Sequence, residues 1–197
     1  MQDWRFRPEL PRHMERSRDR VLSIYELRHI YRTAQLMGRW RGLLRVLILT
    51  GQRRGEVSAI KPRDIEGNLW SITNTKNRKP HLVHLVPAAL RELERAKVGR
   101  GYVWSDYHGF SYMMLKLQGM VKIEDWRVHD FRRSFATHLC EAGEIETVVD
   151  RILNHTASGS ASSAVARVYN RSSLLDARQA AMMKYHDILF PKKSSGG

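Results

Sequence analysis

A chain of 197 residues is long enough to bury one sizeable hydrophobic core. Its single cysteine, Cys140, excludes a disulfide within the chain, and we expect a small buried apolar residue there rather than a nucleophile. The net charge of +14 is spread through the folding unit, which favours an extended polyanion such as nucleic acid as the partner over a basic protein without one.

The sequence predicts neither a membrane span nor a secretory signal. The longest apolar run, residues 43–49, is interrupted by Arg45 and is too short to cross a bilayer. The first five residues, Met-Gln-Asp-Trp-Arg, contain no apolar segment of the kind that directs secretion. We therefore expect a reducing, cytoplasmic compartment.

The first half of the chain predicts helices followed by a small sheet. Residues 1–20 are rich in arginine and lack periodicity, so they are interpreted as a linker or arm. Ser23, with Glu26 three residues later, predicts a capping box at the start of a helix that runs to about Met37. Further helices are predicted from about 39 to Gly51 and over 54–60. An antiparallel meander is predicted over 65–66, 69–72 and 81–86.

The second half of the chain is predicted to be almost entirely helical. Pro87 suits the first position of a helix. A strand-like segment, 102–104, interrupts the helical pattern, and helices are then predicted over 112–120, 129–142, 145–153, 160–169 and 174–188. Residues 191–197 are expected to be a solvated tail. The predicted fold class is α+β and predominantly α-helical, with one three-stranded antiparallel sheet in a single domain over residues 21–190.

His129 and Arg132 form the most informative pair in the sequence. Helical residues three positions apart share a face, so both side chains are expected at one place. A guanidinium is permanently charged and matches phosphate oxygens, while an imidazole moves protons near neutral pH. Arg133 falls on another face and is interpreted as a contact to backbone phosphate or as a surface charge.

Arg53 follows Gly51, where the backbone can approach a ligand closely, and stands at the start of a helix that favours phosphate. Glu56, three residues later, is expected to orient the Arg53 guanidinium; a surface ion pair is the alternative. Arg54 competes for the same role without a carboxylate at that offset.

Three further positions complete a candidate phosphate-transfer site. Lys76 lies in a polar turn between two strands, from which it could donate a proton or a charge to a ligand. Arg78 and Lys79 are alternatives for this role, and a solvated basic turn without a role is the other interpretation. His155 follows a predicted helix, where a dipole partner is the other interpretation. Tyr169 becomes a nucleophile if neighbouring cations lower its pKa or a base takes its proton, and Tyr185 is its rival, although Tyr185 fits packing better.

The sequence contains no pattern for a metal or a nucleotide. Its histidines are not spaced as ligands, no acidic cluster would hold Mg²⁺, and no phosphate-binding loop for ATP is present. Neither a metal nor another cofactor is therefore expected.

Taken in order, these motifs resemble the tyrosine recombinases, also called the phage-integrase family. The resemblance covers residues 20–190. The C-terminal part of the motif set is similar to prophage and genomic-island integrases. The matching pieces are Thr50-Gly51-Gln52-Arg53-Arg54-Gly55-Glu56, the hairpin Lys76, His129-Asp130-Phe131-Arg132-Arg133, Leu153-Asn154-His155 and Val168-Tyr169-Asn170-Arg171.

The resemblance implies site-specific recombination of double-stranded DNA without ATP. Tyr169 would attack the scissile phosphate to form a 3′-phosphotyrosyl link and release a 5′-hydroxyl. The other implied roles are phosphate binding by Arg53, Arg132 and His155, proton donation by Lys76, base catalysis by His129 and support of the site by Glu56. Contacts to the DNA are assigned to Arg54, Arg78, Lys79, Arg133 and Arg171.

The family also implies a homo-tetramer on DNA in which C-terminal helices are exchanged, and a nucleoid-associated protein of a bacterium or phage. The chain has no room for the amino-terminal core-binding domain that family members usually carry, so an isolated catalytic domain, monomeric when free, is expected. Residues 156–163, rich in small residues, are interpreted as a segment that lets Tyr169 swing in or out. Two other functions remain open: a non-catalytic DNA-binding module, and relaxation of supercoils like that of a type IB topoisomerase.

Overall fold

The computed structural model describes residues 19–73, 81–96, 103–104, 109–155 and 173–191. The helices are α1 (Ile24–Thr33), α2 (Arg41–Thr50), α3 (Arg54–Ser58), α4 (Pro87–Arg95), α5 (Phe110–Val121), α6 (Val128–Glu141), α7 (Glu146–Leu153) and α8 (Ser173–Leu189). The strands are β1 (Ile65–Glu66), β2 (Leu69–Ile72) and β3 (His81–His84). The predicted class, mostly helical with one small antiparallel sheet, is confirmed.

Helix α1 begins as the sequence predicts and ends earlier. The Ser23 hydroxyl accepts the Glu26 N–H at 3.2 Å, and the Glu26 carboxylate accepts the Ser23 N–H at 2.8 Å, which completes the capping box. The α-helix stops at Thr33, and two 3₁₀ turns, Ala34–Leu36 and Gly38–Trp40, replace the predicted continuation to Met37. The tighter i→i+3 bonds of these turns lead the chain into α2.

Helix α2 is the central element of the core, because all of its residues from Gly42 to Thr50 except Arg45 are buried. Arg45 is accommodated by Glu92 of α4, whose carboxylate lies 2.8 Å from its guanidinium. The helix ends at Gly51, whose φ of 62° lies in the left-handed region. A Cβ at this position would come within 2.7 Å of the Phe135 ring, so glycine is required for conformation and for space.

The sheet is an antiparallel meander in the order β1-β2-β3. Trp70 is paired with Ile65 on one side and with Val83 on the other. Strand β3 ends at His84, two residues before the predicted end, and Pro87 starts α4 as predicted. The predicted strand over 102–104 is wrong for its described residues: Val103 and Trp104 form a bend, anchored by the Val103 N–H on the Ile60 carbonyl at 2.8 Å.

The C-terminal helix α8 packs against its own domain. Ala181, Met182, Tyr185 and Leu189 are buried in the common core. The Arg28 guanidinium of α1 donates to the carbonyls of Leu189 and Ile188, at 2.6 and 2.8 Å. The predicted helix over 160–169 lies outside the described residues. Among the helices that the structure describes, none is both long and apolar enough to cross a membrane.

Candidate active site

Arg53 and Glu56 form the pair that their spacing predicts. Arg53 is the N-cap of α3, directly after the left-handed turn at Gly51. One oxygen of Glu56 accepts the Arg53 backbone N–H, and the other pairs with the guanidinium, each at 3.0 Å. The Arg53 side chain remains 37% exposed while the carboxylate behind it is 10% exposed. Glu56 therefore orients a cation that a ligand can still reach.

Arg132 is held much more firmly than a surface arginine. Only 4% of it is exposed, and its guanidinium donates to the Gly51 carbonyl at 3.1 Å and to the Leu153 carbonyl. Burial, and next the charge of Arg53, lower the pKa of Arg132 to about 10, so it stays charged at neutral pH. Two carbonyl partners hold this guanidinium without neutralising it, which leaves its charge available to an anion.

His129 lies one helical turn before Arg132 on α6 and is exposed. Burial of part of its ring and the charges of Arg132 and Arg133 lower the pKa of His129 below its usual range. Its imidazole is therefore neutral at neutral pH and able to accept a proton.

Arg53, His129 and Arg132 line one cleft of about 630 Å³. The N-terminal ends of α3 and α6 contribute the cationic residues, and α5 contributes both apolar and polar residues. The lining residues are Gln52, Arg53, Arg54, Phe110, Ser111, Met114, Leu115, Gln118, Arg127, Val128, His129 and Arg132. The structure thus brings Arg53 and Arg132, which lie almost 80 residues apart in the sequence, to one cleft.

Two other predicted cations are placed differently. Arg54 is exposed, and its guanidinium stacks 4.6 Å from the centre of the Phe110 ring at the cleft. Arg133 pairs with Asp130 at 3.0 Å and does not line the cleft, in keeping with its position on another helix face. Arg54 is therefore the better placed of the two for a ligand in the cleft.

His155 stands just beyond the C-terminus of α7 and is 43% exposed. Its Nδ1 lies 2.9 Å from a carboxylate oxygen of Asp150. It is not among the residues that line the cleft, but the Leu153 carbonyl that precedes it accepts from Arg132. The helix that carries His155 is thereby joined to the arginine of the cleft.

Five predicted site residues lie outside the described part of the chain: Lys76, Arg78, Lys79, Tyr169 and Arg171. A second cleft, of about 480 Å³, lies beside Arg53 and Glu56 and is lined by Thr73. Thr73 is the last described residue before the segment that contains Lys76.

The structure confirms the expectation for Tyr185 and contradicts the one for Cys140. Tyr185 has no exposed surface, its ring centre lies 4.4 Å from that of Phe135, and burial raises the pKa of its phenol. The packing interpretation of Tyr185 is confirmed. Cys140 is exposed, so the expectation of a buried residue is wrong; it lies next to the last residue of α6, on a face the core does not cover.

Sequence reasoning assigned no role to three buried or cleft-lining residues. Gln52 and His81 both donate to the Ile152 carbonyl, and Arg127 lines the cleft beside His129. For His81 the strand alternation was a usable signal, because it shares a strand face with the buried Val83. In the described part of the chain, no three His, Cys, Asp or Glu residues are grouped as metal ligands would be.

The fold is that of tyrosine recombinase catalytic domains, and comparison with known proteins assigns the family. Residues 20–174 match the sequence profile of the phage integrase family. The chain belongs to this family.

Curated relatives include the integrase of Escherichia phage P2, 31% identical over 107 residues, and that of Escherichia phage 186, 28% identical over 114 residues. The matches cover 54% and 58% of this chain but only 32% and 33% of those integrases. The matched part therefore corresponds to about a third of each relative's length.

Solved structures share the fold at low sequence identity. The XerA recombinase superposes with a TM-score of 0.62 and 20% identity over 82% of this chain and 64% of its own. The catalytic domain of bacteriophage HP1 integrase superposes with a TM-score of 0.58 and 17% identity. The match covers 88% of this chain and 98% of that domain. XerH, solved in a pre-cleavage complex with its difH substrate, superposes with a TM-score of 0.54 and 21% identity. The match covers 80% of this chain and 51% of XerH.

Proposed function

We propose that this chain catalyses DNA strand cleavage and rejoining in site-specific recombination, through a 3′-phosphotyrosyl intermediate at Tyr169. The observation that carries the proposal is the cleft in which the guanidinium groups of Arg53 and Arg132 and the imidazole of His129 come together. Both arginines are oriented by the protein, one by Glu56 and one by two carbonyls. Preorganised cations of this kind stabilise the charge that develops on a phosphate in the transition state.

In the proposed reaction, the Tyr169 oxygen forms a bond to the scissile phosphorus as its proton passes to His129. Arg53 and Arg132 hold the non-bridging oxygens, and His155 donates a hydrogen bond to the phosphate. The bond to the 5′ oxygen breaks, and Lys76 donates a proton to that oxygen. Attack by another 5′-hydroxyl on the phosphotyrosine reverses these transfers, so the bond energy is conserved without ATP. The roles of Lys76 and Tyr169 rest on the family motifs.

The proposed partner is double-stranded DNA at an attachment site. The net charge of +14 and the four arginines that line the cleft, Arg53, Arg54, Arg127 and Arg132, support this choice. Arg54, beside the cleft, is proposed to contact the DNA backbone, as are Arg78, Lys79, Arg133 and Arg171. No metal or other cofactor enters the proposed chemistry.

The proposed assembly is a tetramer on DNA with exchange of C-terminal helices, formed from free monomers. The packing of α8 on its own domain supports the monomer, because Ala181, Met182, Tyr185 and Leu189 are buried in the domain's own core. Exchange would then begin with the release of α8 from Arg28. The catalytic domain is proposed to span residues 21–190, between an arm and a short tail, and to act in the cytoplasm on nucleoid DNA.

The test is a nicked suicide duplex that carries the attachment site found at the ends of the element encoding this chain. Wild type is expected to give a covalent protein–DNA band on a denaturing gel, and Tyr169→Phe is expected to give none. Tyr185→Phe is the matched control and should retain the band. A band retained in Tyr169→Phe would move the nucleophile elsewhere.

No band from any of the three proteins would contradict catalysis by this chain alone and favour a binding module. In that case, the logarithm of DNA affinity should still fall with the logarithm of salt by about 0.9 per neutralised phosphate.

A further inference from the structure

Side chains from a loop, a strand and a helix converge on the C-terminus of α7. Gln52 Nε2 and His81 Nε2 both donate to the Ile152 carbonyl, at 2.9 and 3.0 Å. Arg132 donates to the next carbonyl, that of Leu153. The last carbonyls of a helix have no partner within it, so these donors supply bonds that the helix itself cannot make. The end of α7 is therefore fixed in place by tertiary contacts.

The backbone turn that follows carries His155. Asn154 has a φ of 52°, and this left-handed residue lets the His155 N–H reach back to the Asp150 carbonyl at 2.9 Å. The His155 ring is exposed, with the Asp150 carboxylate as its side-chain partner. The position of an exposed side chain depends on the position of its backbone. The contacts to the Ile152 carbonyl therefore help to determine where the His155 ring lies.

His81 is suited to a permanent donor role. It is 5% exposed, and burial, followed by the charges of Arg178, Arg132 and Arg53, lowers its pKa to about 4. At neutral pH it is a neutral imidazole. A carbonyl can only accept a hydrogen bond, so the proton must be on Nε2.

We infer that His81 and Gln52 are positioning residues, which hold the α7 C-terminus so that His155 is placed for the reacting phosphate. The inference rests on the proposed function. His81 is also the first residue of β3, directly after the segment that contains Lys76. One hydrogen bond therefore joins the strand after Lys76 to the helix before His155.

His84 provides the matched control. It lies on the same strand, is 7% exposed, and its ring nitrogens make no hydrogen bond to α7. Replacing either histidine by leucine removes a buried imidazole from β3, but only His81→Leu removes a donor from the Ile152 carbonyl. In His81→Gln, the amide Nε2 can restore that donor.

The experiment measures single-turnover cleavage of the suicide duplex at saturating DNA. His81→Leu should slow cleavage about 10- to 100-fold, since small displacements of catalytic groups have effects of this size. DNA affinity should be unchanged, because His81 lies beneath the surface. His81→Gln and His84→Leu should remain within about threefold of wild type, since in both variants the Ile152 carbonyl keeps two donors, whereas His81→Leu leaves it only Gln52. Gln52→Met should slow cleavage in the same way, and it serves as the second variant if His81→Leu does not fold.

A double-mutant cycle separates positioning from general loss of structure. If His81 acts through His155, then His81→Leu should add nothing to the loss already caused by His155→Ala. Independent, multiplicative effects would overturn the inference. So would a cleavage rate for His81→Leu equal to that of wild type.

Hydrogen exchange of the His155 amide gives a readout that needs no catalysis. The bond from this amide to Asp150 should open more often in His81→Leu and not in His84→Leu. If wild type forms no covalent complex, the proposed function fails, whereas unchanged exchange in His81→Leu overturns the positioning role itself.

Discussion

The carboxylate of Glu56 contacts Arg53 at two points, its backbone N–H and its guanidinium, each at 3.0 Å. The first contact caps the short helix α3, and the second orients the side chain across the cleft. A single residue thus stabilises the local backbone and places the cation that the backbone carries. The two contributions can be separated, because only the second depends on the charge of Glu56.

Glu56→Gln should lower the cleavage rate with little effect on folding. The amide oxygen can still accept the Arg53 N–H, but the ion pair to the guanidinium is lost. We expect a rate about 10-fold lower, with the free energy of unfolding changed by less than about 1 kcal/mol for this partly exposed pair. Single-turnover cleavage and urea unfolding measure the two effects. Glu66→Gln, at an exposed carboxylate on β1, is the control, and an equal loss in both variants would contradict the assignment.

Arg132→Lys should impair both the fold and the chemistry. A lysine has the charge but not the planar fork that reaches the Gly51 and Leu153 carbonyls together. We expect cleavage to fall by about 10²-fold or more. The free energy of unfolding should fall by about 1–3 kcal/mol as buried carbonyls lose their donor. Arg32→Lys, at an exposed position on α1, should change neither quantity. A wild-type cleavage rate in Arg132→Lys would show that Arg132 has no role in the reaction.

The cleavage rate should fall on the acid side of neutrality. Burial and the charges of Arg132 and Arg133 lower the pKa of His129, with Asp130 opposing them. The neutral base is therefore fully present above the usual pKa of about 6.5 and is lost only as the pH falls through the lower folded value. His129→Gln should cleave more slowly at every pH, and its rate should no longer fall as the solution becomes acidic. An unchanged fall would show that another group titrates.

The folded fraction must be followed in the same experiment. Burial also lowers the pKa values of His81 and His84, so the native state loses stability as the pH falls below their usual value. Circular dichroism at each pH separates this loss from the titration of His129.

Arg28→Ala should loosen α8 without unfolding the domain. The variant loses two hydrogen bonds to the carbonyls of Ile188 and Leu189, where a cation also complements the helix dipole. We expect faster hydrogen exchange over residues 173–189 and about 1–2 kcal/mol less stability. Arg32→Ala on the same helix is the control. Unchanged exchange in Arg28→Ala would show that Arg28 does not retain the helix.

Local chemistry made much of the fold predictable. Ser23 with Glu26, the glycine at 51 and Pro87 each act through their own backbone, and the structure confirms all three boundaries. The predictions that were wrong depended on the surroundings. Continuation of α1 to Met37, the strand at 102–104 and the burial of Cys140 were all inferred from propensity or residue type, which tertiary contacts override.

The sequence by itself determined the charge, the helical class and the order of the motif residues, because composition and short-range spacing are properties of the linear chain. The pair Arg53–Glu56 followed from a spacing of three residues at the start of a helix, and the pair His129–Arg132 from helical periodicity. Only the tertiary structure decided that Arg53 and Arg132 share a cleft, that α8 packs in cis, and that Gln52 and His81 meet at Ile152. These last contacts join residues 100 and 71 positions apart, and no local preference specifies which carbonyl a buried donor will reach. Packing of the whole core decides it.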